Sequence, residues 1–144
     1  YVNSYRRYVK DLAAPINLEW ARDNRTAGIR IPISDPEAKR IENRLAGMDC
    51  NPYLGIAASL ACGYMGIKNE IRPAKQHRGD AYEGENSIPR VMGEALGHFE
   101  LANDLHAVLG KEFCRVYSAI KRAEYDEFLQ VISPWEREHL LLNV

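Results

Sequence analysis

The sequence is poor in cysteine, and its few cysteines do not suggest a disulfide framework. There are three of them, Cys50, Cys62 and Cys114, an odd number with no Cys-x-x-Cys spacing. This usage favours a reduced, cytoplasmic setting. The four histidines also form no His-x-x-x-His pair, so we interpret them as surface or helix-capping residues.

Long apolar runs and basic clusters are missing as well. The longest uncharged apolar stretch, residues 52–67, is shorter than a membrane span needs and is interrupted by glycines. No lysine- and arginine-rich run or basic tail occurs in a chain whose formal net charge is −1. We therefore expect neither a membrane nor a nucleic acid as a partner.

The composition that remains is ordinary for a globular domain. Hydrophobic residues make up 46% and charged residues 27% of the 144 positions, which is enough for one domain with a modest core. No serine- and glycine-rich linker divides the chain. Because it begins at Tyr1 rather than Met, we expect it to be a piece of a longer protein.

Positive charge is concentrated in residues 24–44, which we interpret as two short strands joined by a loop. In the first strand, apolar residues alternate with others, so Arg30 faces away from the core that the apolar side chains contact. The apolar set is Ala27, Ile29, Ile31 and Ile33. In the second strand, Ile41 and Leu45 would point to the same core. The opposite face would then carry one carboxylate among several arginines: Arg25, Arg30, Arg40, Glu42 and Arg44.

This face is open to two interpretations. Guanidinium groups match the oxygens of carboxylates and phosphates, and a carboxylate among them can share a divalent cation with a phosphate. The same residues also fit a solvated sheet face with cross-strand ion pairs. Spacing alone therefore predicts no more than a possible phosphate or carboxylate site.

The rest of the chain predicts an α+β fold, with short antiparallel strands in the N-terminal third and a mainly helical C-terminal part. Alternation from Ile16 to Trp20 indicates a further strand. Asn51 would begin a helix that is apolar on nearly all sides and therefore buried against the sheet. Residues 73–87 are polar and predict a surface loop. Two amphipathic helices follow, separated by Gly110, and the first would carry both His98 and His106. Pro134 would interrupt the second helix or begin another.

Three blocks resemble the C-terminal part of the catalytic domain of glutamine synthetases, in that family's order and near its spacing. They are NRTAGIRIP at 24–32, RIENR at 40–44 and NPYL at 51–54; NSYRR at 3–7 and the pair at 14–15 match as well. The match is dense over residues 3–69 and looser beyond. It is nearer the γ-glutamylpolyamine synthetase branch of the bacterial type I-like enzymes. The resemblance implies that residues 1–144 are a fragment of the catalytic domain, without its first part and without the N-terminal domain.

The resemblance also implies an activity and an ATP site. Enzymes of this family use ATP and Mg²⁺ or Mn²⁺ to convert glutamate to γ-glutamyl phosphate, which ammonia or another amine then attacks. Charge that develops on transfer must be neutralised by cations placed in advance. Glu42 resembles the ligand of the metal that binds the transferring phosphate. Arg25 and Arg30 resemble the arginines that hold the ATP phosphates, and Arg40 resembles a nucleotide-side arginine.

The glutamate site and the subunit arrangement are implied in the same way. Arg7 and Arg44 resemble the pair that grips glutamate, and Arg25 and Arg44 are our candidates for catalytic residues. The family forms homo-oligomers with active sites between subunits. Because this chain would supply only one metal carboxylate, Glu42, we expect the isolated piece to be inactive.

One departure from the family pattern bears on the acceptor. Ammonia-using bacterial members carry a flap glutamate two residues before the proline that corresponds to Pro15, where this chain has Ala13. Alanine cannot accept a proton, and Trp20 nearby would offer an apolar wall. We therefore favour a primary amine or polyamine, such as putrescine, as the acceptor. Asp11 could take over the missing role, which leaves an ammonia-using enzyme as the alternative.

Two other classes of protein are compatible with parts of the sequence. A catalytically dead family member with a structural role would also lack the flap carboxylate, whereas a free-standing helical binding module leaves the arginine strands unexplained. Tyr82 falls near the tyrosine that some bacterial relatives carry adenylylated. Its neighbours, residues 83–86, depart from that context, so we assign it no regulatory role.

Overall fold

The computed structural model describes residues 1–143. Three short strands occupy the N-terminal third and helices dominate the remainder, which confirms the predicted α+β class. The strands are β1 (Trp20–Arg22), β2 (Ile29–Ile31) and β3 (Glu42–Asn43). The helices are α1 (Pro52–Lys68), α2 (Met92–Leu101), α3 (Asn103–Leu109), α4 (Lys111–Leu129) and α5 (Pro134–Leu140). Short 3₁₀ helices lie at Val2–Arg7, Pro36–Ala38 and Ala81–Glu83. In this described part, no helix is both long and apolar enough to cross a membrane.

The sheet has the order β1–β2–β3. β2 and β3 pair antiparallel as predicted, whereas β1 and β2 run parallel, which the sequence interpretation did not anticipate. The chain turns at Asp23, whose φ is 48°. It turns again where the Asn24 side chain accepts a hydrogen bond from the Thr26 amide at 2.9 Å. These two turns return the chain to the starting level of β1, so that β2 runs beside it in the same direction.

The strands are shorter than the alternation predicted, and this changes which apolar residues are buried. Ala27 is fully buried, but Ile33 and Ile41 lie beyond the strand ends and are 81% and 70% exposed. The predicted apolar face is wrong at these two positions. Ile16 and Asn17 are adjacent and both buried, so residues 16–19 do not alternate as a strand would. The strand begins only at Trp20.

Helix α1 begins as predicted but is not buried as predicted. Asn51 caps it by accepting from the amides of Tyr53 and Leu54, and Pro52 occupies the first turn. Of its residues only Ala61 is buried. The helix packs against α3 rather than the sheet, so the expectation of burial against the sheet is wrong for the described residues. An Asn43–Ser59 side-chain hydrogen bond of 2.9 Å links it to β3.

The first amphipathic segment is two helices rather than one. The chain bends at Ala102, where ψ is 64°, so His98 and His106 lie on α2 and α3 respectively. A ring nitrogen of His106 lies 2.8 Å from the Phe99 carbonyl oxygen, which also accepts from the Ala102 amide at 3.1 Å. This contact in the last turn of α2 fits the predicted capping role. Gly110, with φ 96°, separates α3 from α4 as predicted. Pro134 begins α5, and Ser133 and Glu136 form its capping box.

Residues 73–87 are anchored to the sheet rather than free on the surface. Ala81 is fully buried. The amide of His77 donates to the Trp20 carbonyl at 2.9 Å, and the amide of Ser87 donates to the Ile16 carbonyl at 3.0 Å. This segment therefore forms one wall of the region that contains the arginine strands.

Candidate active site

Side chains from four segments surround an open cleft of about 680 Å³ beside the sheet. We call it the arginine cleft. Its lining combines three guanidinium groups with one carboxylate, one hydroxyl, one phenol and one methyl group. The lining residues are Asp11, Ala13, Arg25, Thr26, Arg30, Arg44 and Tyr82. Three of the predicted site arginines thus meet at the position that the sequence suggested for the acceptor.

The antiparallel register of β2 and β3 places Arg30 directly opposite Glu42. Arg30 Nη1 donates to Glu42 Oε2 at 2.9 Å, and Arg40 Nη2 donates to Glu42 Oε1 at 3.2 Å. The hydrogen bond from Arg30 is the main reason that the pKa of Glu42 lies below its ordinary value, and the charges of both arginines add to the effect. Glu42 is therefore an ionised carboxylate at neutral pH, held on the arginine-bearing face.

Arg30 contacts a second carboxylate, that of Asp23, which is not among the predicted site residues. The two hydrogen bonds, first to Asp23 and then to Glu42, raise the pKa of Arg30. Its Nε atom is shielded from solvent and has no hydrogen-bond partner within residues 1–143. The two ion pairs therefore fix the Arg30 guanidinium in place and leave its Nε buried and unpaired.

Arg44 and Arg7, the predicted glutamate pair, are joined through the backbone that follows β3. Arg7 donates to the carbonyls of Arg44 at 2.8 Å and Leu45 at 2.9 Å. Arg44 in turn donates from Nη2 to the Ala13 carbonyl at 2.9 Å, and its buried Nε has no partner among the described residues. Arg44 therefore lines the cleft, while Arg7 holds the backbone on which Arg44 is carried.

Arg25 and Arg40 lie at the periphery and are exposed. Arg25 reaches the cleft from the turn between β1 and β2, where an exposed guanidinium is accessible to an anion. Arg40 is bound to Glu42 and to the Ala38 carbonyl at 3.4 Å. Arg7, Arg40 and Glu42 are not among the residues that line the cleft.

The chain provides an incomplete set of ligands for a divalent cation. Over residues 1–143, no three His, Cys, Asp or Glu side chains lie close enough together to hold a metal ion. Glu42 is the predicted ligand, and both of its oxygens already accept hydrogen bonds from arginine. The residues present fit one ligand of a shared site and do not fit a complete Mg²⁺ site.

The two residues that suggested the acceptor occupy different places. Ala13 lines the cleft, but Trp20 is not among the lining residues of the described chain. The indole Nε1 of Trp20 instead donates to the Ala74 carbonyl at 2.7 Å. Tyr82, whose hydroxyl donates to the Ala14 carbonyl at 3.1 Å, was not predicted as part of the site. No short-range pattern marks it, because this contact joins residues 68 positions apart in the chain.

Comparison with known proteins identifies the same family as the motifs. Residues 1–140 match the family described as glutamine synthetase, catalytic domain. A glutamine synthetase of Methanocaldococcus jannaschii is 37% identical over 98% of this chain and 33% of its own length. The γ-glutamylputrescine synthetase PuuA of Escherichia coli K12 is 38% identical over 99% of this chain and 30% of its own length.

Comparison with solved structures supports the same family. A solved structure of GmaS without ligand has a TM-score of 0.81 and 32% identity, covering 97% of this chain and 32% of that one. The chain spans about a third of the length of the curated relatives it matches. The match of the family over nearly all residues, the ordered motifs and the shared fold lead to one conclusion: the chain belongs to the glutamine synthetase family.

Proposed function

We propose that the chain is the C-terminal part of the catalytic domain of an ATP-dependent glutamate–amine ligase. The observation that carries this proposal is the arginine cleft, in which Arg25, Arg30 and Arg44 converge beside Ala13. A carboxylate oxygen is a poor leaving group, and phosphorylation by ATP makes it a good one. Such a transfer depends on cations fixed in place before charge develops.

The three arginines suit different parts of this task. Arg25 is exposed and accessible to the phosphates of ATP. Arg30 is held between Asp23 and Glu42, so its positive charge lies in a fixed position at the cleft. Arg44 is half-buried and held by its hydrogen bond to the Ala13 carbonyl, and a fixed guanidinium of this kind suits a carboxylate of glutamate. Because guanidinium groups stay charged over the whole physiological range, these positions need no proton transfer to work.

Other parts of the proposal rest on family membership. We propose that ATP and Mg²⁺ or Mn²⁺ bind with Glu42 as one ligand and with further ligands from outside this chain. A divalent cation there would neutralise phosphate charge. We also propose that the full protein is a homo-oligomer whose active sites lie between subunits. The cytoplasmic location stays a prediction from cysteine usage.

For the acceptor, we propose a primary amine or a polyamine such as putrescine. Ala13 contributes a methyl group to the cleft where ammonia-using bacterial relatives have a proton-accepting carboxylate, and a carbon chain can occupy the space that this change leaves. Similarity to PuuA supports the proposal. Similarity to a glutamine synthetase is nearly as high, and Asp11 lines the cleft, so ammonia is the second candidate.

The test is to express the full-length protein and to measure glutamate-dependent ADP release with ammonia, putrescine, ethanolamine and a monoalkylamine. We expect the highest kcat/KM with a primary amine or diamine. A strong preference for ammonia would contradict our interpretation of Ala13. No turnover with any acceptor, in a protein that folds and assembles, would support the catalytically dead family member instead.

A further inference from the structure

Tyr82 connects two parts of the molecule that are far apart in sequence. It lies in the 3₁₀ helix Ala81–Glu83 and lines the arginine cleft. Its half-buried side chain donates a hydrogen bond to the Ala14 carbonyl at 3.1 Å. No part of the proposed chemistry assigns a task to this residue, so its contact requires a separate explanation.

The segment that Tyr82 contacts has an unusual backbone. Asp11 and Ala13 have φ values of 65° and 60°, in the left-handed region that residues other than glycine, asparagine and aspartate rarely occupy. Ala13 is therefore the more unusual of the two. Such a backbone persists only where its surroundings hold it in place. Two side chains do so here. Arg44 donates to the Ala13 carbonyl at 2.9 Å, and Tyr82 donates to the carbonyl of the next residue, Ala14.

Ala81, the residue before Tyr82, is hydrogen-bonded to side chains on both sides of β1 in the sequence. Thr26 Oγ1 accepts from the Ala81 amide at 2.8 Å, and Asn17 Nδ2 donates to the Ala81 carbonyl at 2.8 Å. The Asp80 side chain caps the 3₁₀ helix by accepting from the Tyr82 amide at 2.9 Å. Ala81 is fully buried. The backbone that carries the Tyr82 phenol is therefore fixed by these hydrogen bonds.

The protonation state of the phenol suits a permanent donor. Burial is the largest influence and raises the pKa of Tyr82 above its ordinary value. Arg44 opposes this shift, and the carboxylates of Asp11 and Asp80 add to it. The hydroxyl therefore keeps its proton throughout the neutral range, as donation to a carbonyl requires.

We propose that Tyr82 is a positioning residue that holds the segment 11–14 over the arginine cleft and thereby fixes where the acceptor amine meets the activated glutamate. Ala13 and Asp11, the two residues on which the choice of acceptor depends, both belong to this segment. The effect on the acceptor rests on the proposed function. The effect on the segment does not, since it follows from the hydrogen bond alone.

The experiment compares full-length wild type with Tyr82→Phe, which removes the hydroxyl and keeps the ring. Tyr64→Phe, on the exposed side of α1, is the matched control. Limited trypsin digestion followed by mass spectrometry measures cleavage after Lys10, the exposed residue that precedes the segment. We expect cleavage there to be roughly 2- to 12-fold faster in Tyr82→Phe, the factor that one net hydrogen bond carries. Cleavage after Lys111 serves as an internal reference and should not change.

Kinetics supply the second readout. In Tyr82→Phe we expect the KM for the amine to rise several-fold while the KM for ATP stays the same. We also expect more glutamate-dependent ADP release in the absence of amine, because a loosened segment admits water to the acyl phosphate. A merely structural role would lower kcat or the amount of folded enzyme without this split.

The cleavage rates test whether Tyr82 holds the segment, and the kinetics test whether the segment affects the acceptor amine. Equal cleavage after Lys10 in Tyr82→Phe and wild type overturns the proposal, whether or not the protein turns over. Faster cleavage with an unchanged amine KM and unchanged amine-free ADP release overturns the link to the acceptor. Wild type that releases no ADP with any amine refutes the proposed function and the acceptor role with it, while the cleavage rates still decide whether Tyr82 holds the segment.

Discussion

Gly28, the residue before β2, leaves no room for an added Cβ atom beside the backbone of residues 17–18. A Cβ built on Gly28 would lie 2.5 Å from the backbone oxygen of Asn17 and 3.5 Å from the Cα of Leu18. Contacts this short require a shift. The contacting atoms are backbone, and Asn17 is buried and hydrogen-bonded to Ala81. Residue 17 therefore cannot move aside cheaply, so β2 must move instead.

The expected cost of Gly28→Ala follows from this geometry. Overpacking of a well-packed interior costs about 1–3 kcal/mol, and here no flexible side chain is available to absorb the strain. A displaced β2 also moves Arg30 relative to Asp23, which lies beyond β1. Since misplacement of a binding group by about 1 Å lowers rates by roughly 100-fold, we expect the variant to lose at least about 10-fold in glutamate-dependent ADP release.

Gly63→Ala is the matched control. Gly63 lies within α1, and a Cβ there meets nothing within 4 Å. Alanine is the better helix former, so this variant should gain roughly 0.5–1 kcal/mol in stability. Both variants would be made in the full-length protein and compared by thermal inactivation and ADP release. If Gly28→Ala is as stable and as active as Gly63→Ala, the packing of residues 17–18 against β2 is not as described.

Three further variants test separate parts of the account. Ionised Glu42 contributes stability above its unfolded pKa, and because its folded pKa is lowered, that contribution is lost as the pH falls below the ordinary value of 4.5. The melting temperature of wild type should therefore exceed that of Glu42→Gln at pH 7, and the difference should shrink in acid; a difference independent of pH would contradict the pairing with Arg30. Ala13→Glu should raise kcat/KM for ammonia relative to putrescine by about 10-fold or more, and an unchanged ratio would remove this position from acceptor choice. Asn17→Ala removes one of the two donors to the Ala81 carbonyl, the other being the Gly84 amide at 3.3 Å, and should cost about 0.5–1.5 kcal/mol in unfolding free energy; an unchanged denaturation midpoint would contradict this.

The arginine face is the part of the fold that sequence reasoning predicted well. The alternation in the two strands predicted that Arg30 and Glu42 share one face of the sheet. The structure adds that they are register partners, which the alternation did not specify. The start of α1 at Asn51 was equally accessible, because a side-chain cap and a following proline are local signals. Helix caps and similar local features can be predicted from a sequence, because they depend on residues only a few positions apart.

Features that depend on distant parts of the chain were missed. Tyr82 reaches Ala14 across 68 positions, and Asn17 reaches Ala81 across 64, so no spacing rule indicates either contact. Period-2 alternation also cannot show where a strand ends, which is why Ile33 and Ile41 were wrongly expected in the core. The bend at Ala102 lacks the usual glycine or proline.

Helix α1 shows a further reason for error. A helix that is apolar on nearly all sides implies burial, but its sequence does not identify the surface that buries it. In the described residues its packing partner is α3, and several large apolar side chains, including Ile56, Leu60 and Ile67, stay exposed. The chain spans about a third of the length of its curated relatives.

We propose that the arginine cleft neutralises the charge that develops during glutamate activation, and Arg25 is the exposed one of its three arginines. The most direct measurement is kcat/KM for glutamate- and amine-dependent ADP release by full-length Arg25→Ala, compared with Arg115→Ala. Arg115 is an exposed arginine on α4 paired with Glu112, so it matches the charge change without touching the cleft. Removing one fixed donor to a developing charge costs roughly 100- to 1,000-fold. We predict that loss for Arg25→Ala and less than about 2-fold for Arg115→Ala; equal activities of the two variants would contradict the account.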